Sequence, residues 1–366
     1  MIPDLCDKQY YGAGSDYRIG KLSRWIECLV TEERNGEFYL EGTLPVGAPL
    51  VDELDIDRII RAAPAPGKPM QPFRIRKLYK GSTERTVHVT AHHVSYQLTE
   101  QILGPEFNYT TYTNIDTLLN EMASHVTPTI TETFGFSSDI VLANGINPAP
   151  GKPESVRAWI GGDGGLLDLL KGQGYNAEIE WDGWLVKINQ SRGTARDVVI
   201  AYARNLDTLE LSKDAAGLVT GYYGYGTWND VFKAEVAYRS GQTPGFSPYA
   251  YPRLEMVDLS DQFETYPSDA ELQAAVQAYA DAQGAPQLPT TITITAVPES
   301  LQGVFLCDSV RVIHPDYQLN QYSKVVKTVY DPIRERYTAV TIGEIQKGIT
   351  DTIARMLGGN YDQLFV

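Results

Sequence analysis

Alternation of apolar and polar residues with a period of two is the feature that most constrains the fold of this 366-residue chain. Phe38, Leu40 and Leu44 alternate with polar neighbours, and Val87 and Ala91 lie in a similar pattern. Successive side chains of a strand point to opposite faces of a sheet, so this period predicts strands with one buried face. Breaks rich in Gly, Pro and Asn separate the runs. Residues 1–96 are therefore predicted to form an antiparallel β-domain of about five strands.

Residues 97–192 follow a different pattern, which predicts an α+β insertion domain. Thr113 and Asp116 have the spacing of a capping box and precede an apolar stripe with helical spacing. A second helix is predicted where Leu166 to Leu170 follow a cluster of glycines.

A β-hairpin is predicted in the same segment. Asp182-Gly183 is a dipeptide typical of two-residue hairpin turns, and apolar residues alternate on both sides of it. This register places Trp181 and Trp184 together on the inward face.

Strand patterns return at residues 193–232 and 288–344, which are predicted to form a second β-domain. Residues 233–287 interrupt it as an inserted loop-helix domain, where Ser268 and Glu271 form a capping box at the start of a helix. A C-terminal helix and tail are predicted at 345–366. The fold class is thus α+β, mainly β, with two β-domains and α+β insertions.

The charge of the chain excludes ordinary nucleic-acid binding. Lys and Arg number 31 against 46 Asp and Glu, a net charge of −15, and such a surface repels phosphate backbones. Two interpretations remain open: a solvated acidic surface, or a wall past which DNA slides without sticking. No apolar run is long enough to span a membrane, and the first residues lack the pattern of a secretory signal. We therefore expect the chain to stay in the cytoplasm where it is made.

The cysteines and histidines predict neither a disulfide framework nor a metal site. The three cysteines are widely spaced and odd in number, and two of them, Cys28 and Cys307, lie in apolar runs typical of small core residues. Three of the five histidines lie on a strand pattern without further ligands at zinc-like spacing. These residues are Cys6, Cys28, Cys307, His88, His92 and His93.

Signals of catalysis or cofactor binding are equally weak. The glycine cluster at 161–165 has no following Lys-Ser or Lys-Thr, so it indicates a tight turn before a helix and not a phosphate loop. Asp52 with Glu53, and Glu178 with Glu180, are the acidic pairs that glycoside hydrolysis would need, but sequence does not place either pair in a cleft. We predict no catalytic, cofactor-binding or metal residues, no cofactor, and a structural or binding role instead of an enzyme.

Several segments, in a fixed order, resemble one known family. They begin with EFYLEGTLPV and VHVTAHHVSYQL, continue through GGDGGLLDLLKGQGYNAEIEWDGWLVKINQSRG, and end with VYDPIRERYTAVTIGE. The most distinctive is DVVIAYARNLDTLELSKDAAGLVTGYYGYG, although Ala203 and Arg204 stand where the family more often has Gly and Lys. From about residue 22 to 345 the chain is similar to the amino-terminal hub region of siphophage tail-associated proteins, the prophage endopeptidase tail family.

The resemblance implies two tube-like β-barrel domains with α+β insertion domains, as in phage baseplate hubs. It implies a homotrimer at the virion tail tip, assembled in the cytoplasm of the host bacterium. Its partners would be the distal tail protein ring and the tape-measure protein, and DNA would pass through the lumen without specific binding. Three chains with two similar β-domains each would adapt a six-fold tube to a three-fold tip. The peptidase activity in the family's name is not implied, since no segment here resembles a peptidoglycan-cleaving domain.

Two rival functions remain open. A tail-associated cell-wall hydrolase would need a cleft in which carboxylates converge. A host-carbohydrate-binding tail module could use the aromatic loop GFSPYAYPRLE.

Overall fold

A computed structural model describes most of the chain and divides it into two compact units. The first unit comprises Met1–Leu209 and Ile294–Gly343, and the described part of the second is Glu210–Thr293. The predicted C-terminal helix at 345–366 lies outside the described residues. Within the described part of the chain, no helix has the length and apolar character needed to cross a membrane. The described residues are 1–10, 17–81, 85–105, 107, 111–130, 133–148, 150, 152–162, 165–202, 204–213, 218–245, 247–263, 265–284, 286, 290–296, 301, 303–316 and 319–343.

Short strands dominate the chain. The first thirteen are β1 (Asp4–Cys6), β2 (Arg18–Lys21), β3 (Glu27–Glu33), β4 (Phe38–Pro45), β5 (Ile59–Ala62), β6 (Gln71–Gly81), β7 (Thr86–His93), β8 (Ile102–Leu103), β9 (Tyr112–Asn114), β10 (Val126–Thr127), β11 (Gly135–Ser138), β12 (Val141–Ile146) and β13 (Glu154–Ser155). They are followed by β14 (Glu178–Asp182), β15 (Leu185–Asn189), β16 (Ala195–Ala201), β17 (Leu206–Lys213), β18 (Gly221–Trp228), β19 (Val231–Tyr238), β20 (Leu254–Asp258), β21 (Thr290–Ala296), β22 (Ser309–His314), β23 (Leu319–Asp331) and β24 (Arg336–Ile342).

Helices are few among the described residues, in agreement with the mainly β class. The α-helices are α1 (Ile115–Ser124), α2 (Val156–Gly161), α3 (Leu166–Gly172) and α4 (Asp269–Ala282), and the 3-10 turns are Val51–Glu53, Val94–Thr99 and Ser260–Gln262.

The first unit is built on a sheet of thirteen described strands. Its order is β17-β21-β24-β23-β3-β4-β7-β6-β5-β1-β2, with β22 beside β23 and β16 beside β22. Strands β3 and β23 pair antiparallel, with Thr328 opposite Glu32. The strands of both predicted β-domains are therefore joined edge to edge in one sheet.

The period-two alternation has the predicted structural basis. On β4, Phe38, Leu40 and Leu44 are buried while Glu41 is exposed, and β7 buries Val87 and its alternate neighbours. This confirms the strands that were predicted from the alternation.

The apolar core of the first unit extends past residue 96. Phe38 and Phe73 of the sheet lie in the same buried cluster as Trp159 and Ile188, which come from the segment predicted as a separate insertion domain. The predicted boundary at 96/97 therefore does not separate two cores.

The helix predicted near Thr113 is present as α1, but its cap differs from the prediction. Asn114 is the N-cap, and its side chain accepts a hydrogen bond from the backbone N–H of Thr117 at 3.0 Å. Asp116, which was expected to complete a capping box, accepts instead from the backbone N–H of Ser138 at 3.2 Å. Asn is as good an N-cap as Ser or Thr, so the helix begins one residue later.

The predicted hairpin is present as β14 and β15, with a shifted turn. Asp182 pairs with Leu185, so the two loop residues are Gly183, at φ +60°, and Trp184. Trp181 is buried on the inward face, whereas Trp184 lies in the turn and packs against Tyr10 at 5.6 Å between ring centroids. The prediction of two inward tryptophans was wrong because the glycine took the first turn position and not the second.

The second unit is a three-stranded sheet, in the order β19-β18-β20, with α4 on one face. Strands β18 and β19 form a hairpin whose two turn residues, Asn229 and Asp230, have φ of +49° and +63°. Asn and Asp tolerate this left-handed region, which a two-residue hairpin turn requires at both positions. The predicted boundary at 232/233 falls inside this hairpin, so the inserted segment begins earlier than predicted.

Helix α4 itself was predicted correctly. The Ser268 side chain accepts from the backbone N–H of Glu271 at 3.2 Å, and the Glu271 carboxylate accepts in return from the backbone N–H of Ser268. Leu272 and Val276 of the predicted apolar stripe are buried against the sheet.

Candidate functional site

One of the acidic residues singled out from the sequence, Glu178, links three segments of the first unit. Glu178 is 1 % exposed and lies between two cations, with Arg34 Nε 2.8 Å from its Oε1 and Lys324 Nζ 2.7 Å from the same oxygen. The backbone N–H of Arg192 also donates to this carboxylate. Glu178 thus joins β14 to the β3–β4 turn and to β23. Its carboxylate has a structural role.

The other acids of the two pairs lie on the surface. Glu180 is half-exposed and 3.7 Å from Lys187 Nζ, and Glu53 is paired with Arg58 at 2.7 Å. Asp52 is exposed on the Val51–Glu53 turn. Neither predicted pair converges on a cleft as a pair, because Glu178 points into a network of cations while Glu180 faces Lys187.

The three neighbouring histidines of β7 point to different sides of the sheet. His93 is buried and stacks on Phe38 with ring centroids 4.5 Å apart, while His88 Nδ1 lies 3.0 Å from the hydroxyl of Thr43 on the outer face. Burial is the main reason that the pKa of His93 falls to about 3, and nearby Arg157 lowers it further. The described residues contain no group of three or more His, Cys, Asp and Glu side chains that could hold a metal ion.

The cysteines are free and buried in the described structure. Burial raises the pKa of Cys6 and of Cys307 to about 11, and it raises the pKa of Cys28 as well. A thiol with a raised pKa is a poor nucleophile.

The glycine cluster provides close packing between two short helices. A Cβ on Gly165, the residue before α3, would lie 2.7 Å from the carbonyl oxygen of Trp159 in α2. Only glycine fits so near a backbone oxygen, which supports the prediction of a tight turn. Asp163 and Gly164 of this cluster lie outside the described residues.

A cavity of about 220 Å³ lies beside β14 in the first unit. Three carboxylates line it: Glu32, Glu180 and Asp182. Burial raises the pKa of Glu32, and this effect exceeds the opposing charge of Arg192, whose Nη2 lies 3.4 Å from Glu32 Oε1. The sequence did not indicate this cluster, because Glu180 and Asp182 are 148 residues or more away from Glu32 along the chain.

The second unit presents a partly exposed apolar surface, which we call the β18 outer face: Tyr223, Tyr225, Phe232, Ala234, Val236, Tyr238, Leu254 and Met256. These residues occupy alternate positions on three paired strands, opposite the face that carries α4. Met256 is 75 % exposed, Phe232 58 % and Leu254 45 %. Such a concentration of exposed apolar side chains marks an interaction site on a water-soluble surface.

The motif Gly-Tyr-Tyr-Gly-Tyr-Gly, residues 221–226, builds both sides of this sheet. On the helix side, a Cβ on Gly224 would lie 2.2 Å from Val276 Cγ2 of α4, so glycine lets the helix approach. On the other side, the Tyr225 ring stacks on Phe232 with centroids 6.2 Å apart. This motif ends the segment that most distinctively resembles the family, but its place on a surface could be found only from the register of three strands.

The aromatic loop that was considered for carbohydrate binding precedes β20. Arg253 lies over the ring of Tyr251 at 4.2 Å, and Tyr251 is exposed. Phe246 of the same loop lies outside the described residues. The arginine therefore covers one face of the Tyr251 ring.

Known proteins resemble the chain in sequence and in structure. The sequence model of the family described as prophage endopeptidase tail matches residues 194–353. A comparison with curated protein sequences finds no match.

Three solved structures share the fold along nearly their full lengths. The prophage tail protein gp18 from Listeria monocytogenes EGD-e has a TM-score of 0.56 at 14 % identity, covering 98 % of this chain and 100 % of that one. The 43 kDa tail protein of prophage MuSo2 from Shewanella oneidensis has a TM-score of 0.55 at 10 % identity, covering 94 % and 98 %. The tail protein from Neisseria meningitidis MC58 has a TM-score of 0.54 at 12 % identity, covering 95 % and 97 %.

At such low identity these likenesses show the fold. The resemblance to the prophage endopeptidase tail family is thus confirmed in residues 194–353, and the chain has the mainly β fold of phage tail proteins.

Proposed function

We propose that the chain is the structural hub at the tip of a phage or prophage tail tube. In this role it forms a homotrimer that closes the tube, adapts a six-fold tube to a three-fold tip and gates the passage of DNA. The observation that carries the proposal is the likeness to three tail proteins over at least 94 % of this chain. The match of residues 194–353 to the family model supports it independently.

The contacts within the first unit support a structural role. Its β-rich segments are joined by the β3–β23 pairing, and the segment between them is fastened to the sheet by the buried Glu178. We further propose that the two β-rich segments, residues 1–96 and residues 193–232 with 288–344, act as similar β-barrel-like tube domains. Three chains would then present six such units to the tube above.

The acidic composition supports a conduit for DNA. With a net charge of −15 per chain, a lumen lined by acidic side chains would repel phosphates and keep DNA from sticking. The proposed partners are the distal tail protein ring on one side and the tape-measure protein within the tube.

Labelling of particles tests this location. Gold-tagged antibodies against the chain should bind the tail tips of particles from the encoding phage or prophage, and particles made without the chain should lack closed tips. Labelling of capsids or of the tube shaft alone would contradict the proposal.

A second candidate function is glycan hydrolysis in the host cell wall, which the cavity beside β14 favours. Glycosidases use a carboxyl of raised pKa together with an ionised carboxylate. Burial raises the pKa of Glu32, and in the same cavity the pKa of Asp182 is lowered because burial, which would raise it, is outweighed by hydrogen bonds from Lys187 and Gln71. The hub remains the better proposal because Arg192 lies against Glu32, and Lys187 Nζ lies 3.0 Å from Asp182. Clearing of cell-wall gels by the purified protein, abolished by Glu32→Gln, would favour the hydrolase.

A further inference from the structure

The β18 outer face carries the exposed side chains of Phe232, Leu254 and Met256, whereas α4 packs on the opposite face of the same sheet. There, Leu272 and Val276 of α4 are buried, and the Tyr222 ring packs edge-on against Tyr279 at 4.9 Å. Domains are built from packed layers of secondary structure. A sheet with a helix on one face and exposed apolar side chains on the other can therefore accept a further layer on the exposed face.

We propose that the β18 outer face docks against a second copy of this chain, as one contact of the trimer. The inference rests on the proposed homotrimer and adds the surface through which the subunits meet.

Charge selects a second copy as the occupant. The segment Glu210–Thr293 contains four basic and eleven acidic residues, a net charge of −7, yet of the charged residues on β18, β19 and β20 the register places only Asp258 on this face, beside Tyr225. Asp258 lies at the end of β20, at the edge of the face, where it accepts hydrogen bonds from the backbone N–H and the hydroxyl of Ser260, with hydroxyl and carboxylate 2.6 Å apart. A basic partner would be matched by an acidic patch. A partner of the same negative charge requires a contact with few charges, because like charges brought together would repel.

The size of the face fits a partial subunit contact. Strands about 4.8 Å apart with a rise of about 3.3 Å per residue give three strands of this length an area of roughly 350 Å². A standard interface buries about 800 Å² on each partner, so the face supplies roughly half of one such interface. This is the size expected of an apolar anchor surrounded by further contacts.

Inserting a charge on the face tests the inference. Met256→Glu places a carboxylate at the most exposed apolar side chain of the face, where it disturbs no packing within the chain. At concentrations where the wild type is trimeric, we expect the variant to sediment as a monomer, with an association constant at least tenfold lower, because an unpaired charge would be buried in the contact. Met256→Leu should remain trimeric.

The matched control is Ala274→Glu, which adds the same charge to the exposed side of α4 in the same unit. It should leave the trimer intact, and circular dichroism should show both Glu variants folded. A Met256→Glu variant that stays trimeric would overturn the inference and leave the hub proposal standing. A wild type that is monomeric at all concentrations would contradict the homotrimer itself, and the docking surface with it.

Discussion

The two units of the chain differ in how they use their charged and apolar groups. In the first, a buried carboxylate, Glu178, is enclosed by Arg34 and Lys324, and the apolar core is continuous from the sheet to the segment packed on it. In the second, the helix covers one face of a small sheet, while Met256 and its neighbours on the other face are in contact with water. The described part of the first unit thus has a continuous core, whereas the second has exposed apolar side chains on one face, which we propose as a docking surface.

Among the substitutions considered, Glu178→Gln is expected to lower the unfolding free energy of the first unit the most. Removing the charge leaves two cations facing a neutral side chain in a buried site, and losing one partner of a buried pair costs about 3–5 kcal/mol. Because Arg34 and Lys324 are each about a third exposed, we expect the lower end, about 3 kcal/mol, in urea unfolding.

Glu180→Gln is the matched control, two residues along the same strand. Its carboxylate is 39 % exposed and 3.7 Å from Lys187, so its loss should change the unfolding free energy by less than about 1 kcal/mol. Equal effects of the two substitutions would show that the Glu178 network does not fasten β14 to the sheet.

A second prediction concerns the stability of the first unit at acid pH. His93 has a folded pKa of about 3, below the usual 6.5, so between these values the unfolded chain binds a proton that the folded chain does not. The unfolding free energy of the first unit should therefore fall as the pH drops below about 6.5, by up to about 1.4 kcal/mol per pH unit. His93→Phe should reduce this slope near pH 5. An unchanged slope in His93→Phe would assign the acid sensitivity to other groups.

Gly224→Ala should reduce the unfolding free energy of the second unit, by less than Glu178→Gln reduces that of the first. The added Cβ would lie 2.2 Å from Val276, so α4 must shift away from the sheet, and overpacking of this kind costs about 1–3 kcal/mol. Hydrogen–deuterium exchange should rise in α4 and β18 while the first unit is unaffected. Gly172→Ala, where the new methyl meets no atom within 4 Å, is the control. No change in α4 would mean that the helix is not seated through Gly224.

The sequence predicted local structure better than it predicted how segments meet. Period-two alternation located β4 and β7, and the Ser268–Glu271 capping box located α4, because each signal depends on residues close in the chain. The predicted position of the turn after Asp182 was wrong, since glycine fits either position of a two-residue hairpin turn and the Asp-Gly dipeptide alone does not fix the register.

The candidate sites depended on long-range pairing and were mostly missed. Glu178 was singled out as an acid, but its partners Arg34 and Lys324 are more than a hundred residues away in opposite directions. The β18 outer face combines residues from β18, β19 and β20, and the parallel pairing of β18 with β20 carries no local sequence signal.

The mass of the wild-type protein in solution, followed by electron microscopy of the same sample, tests the central proposal most directly. We expect a species of three 40.6 kDa chains that forms a three-fold ring with six similar β-units around a negatively charged channel. A monomer, or a ring whose channel is neutral or basic, would contradict the hub and the DNA conduit proposed here.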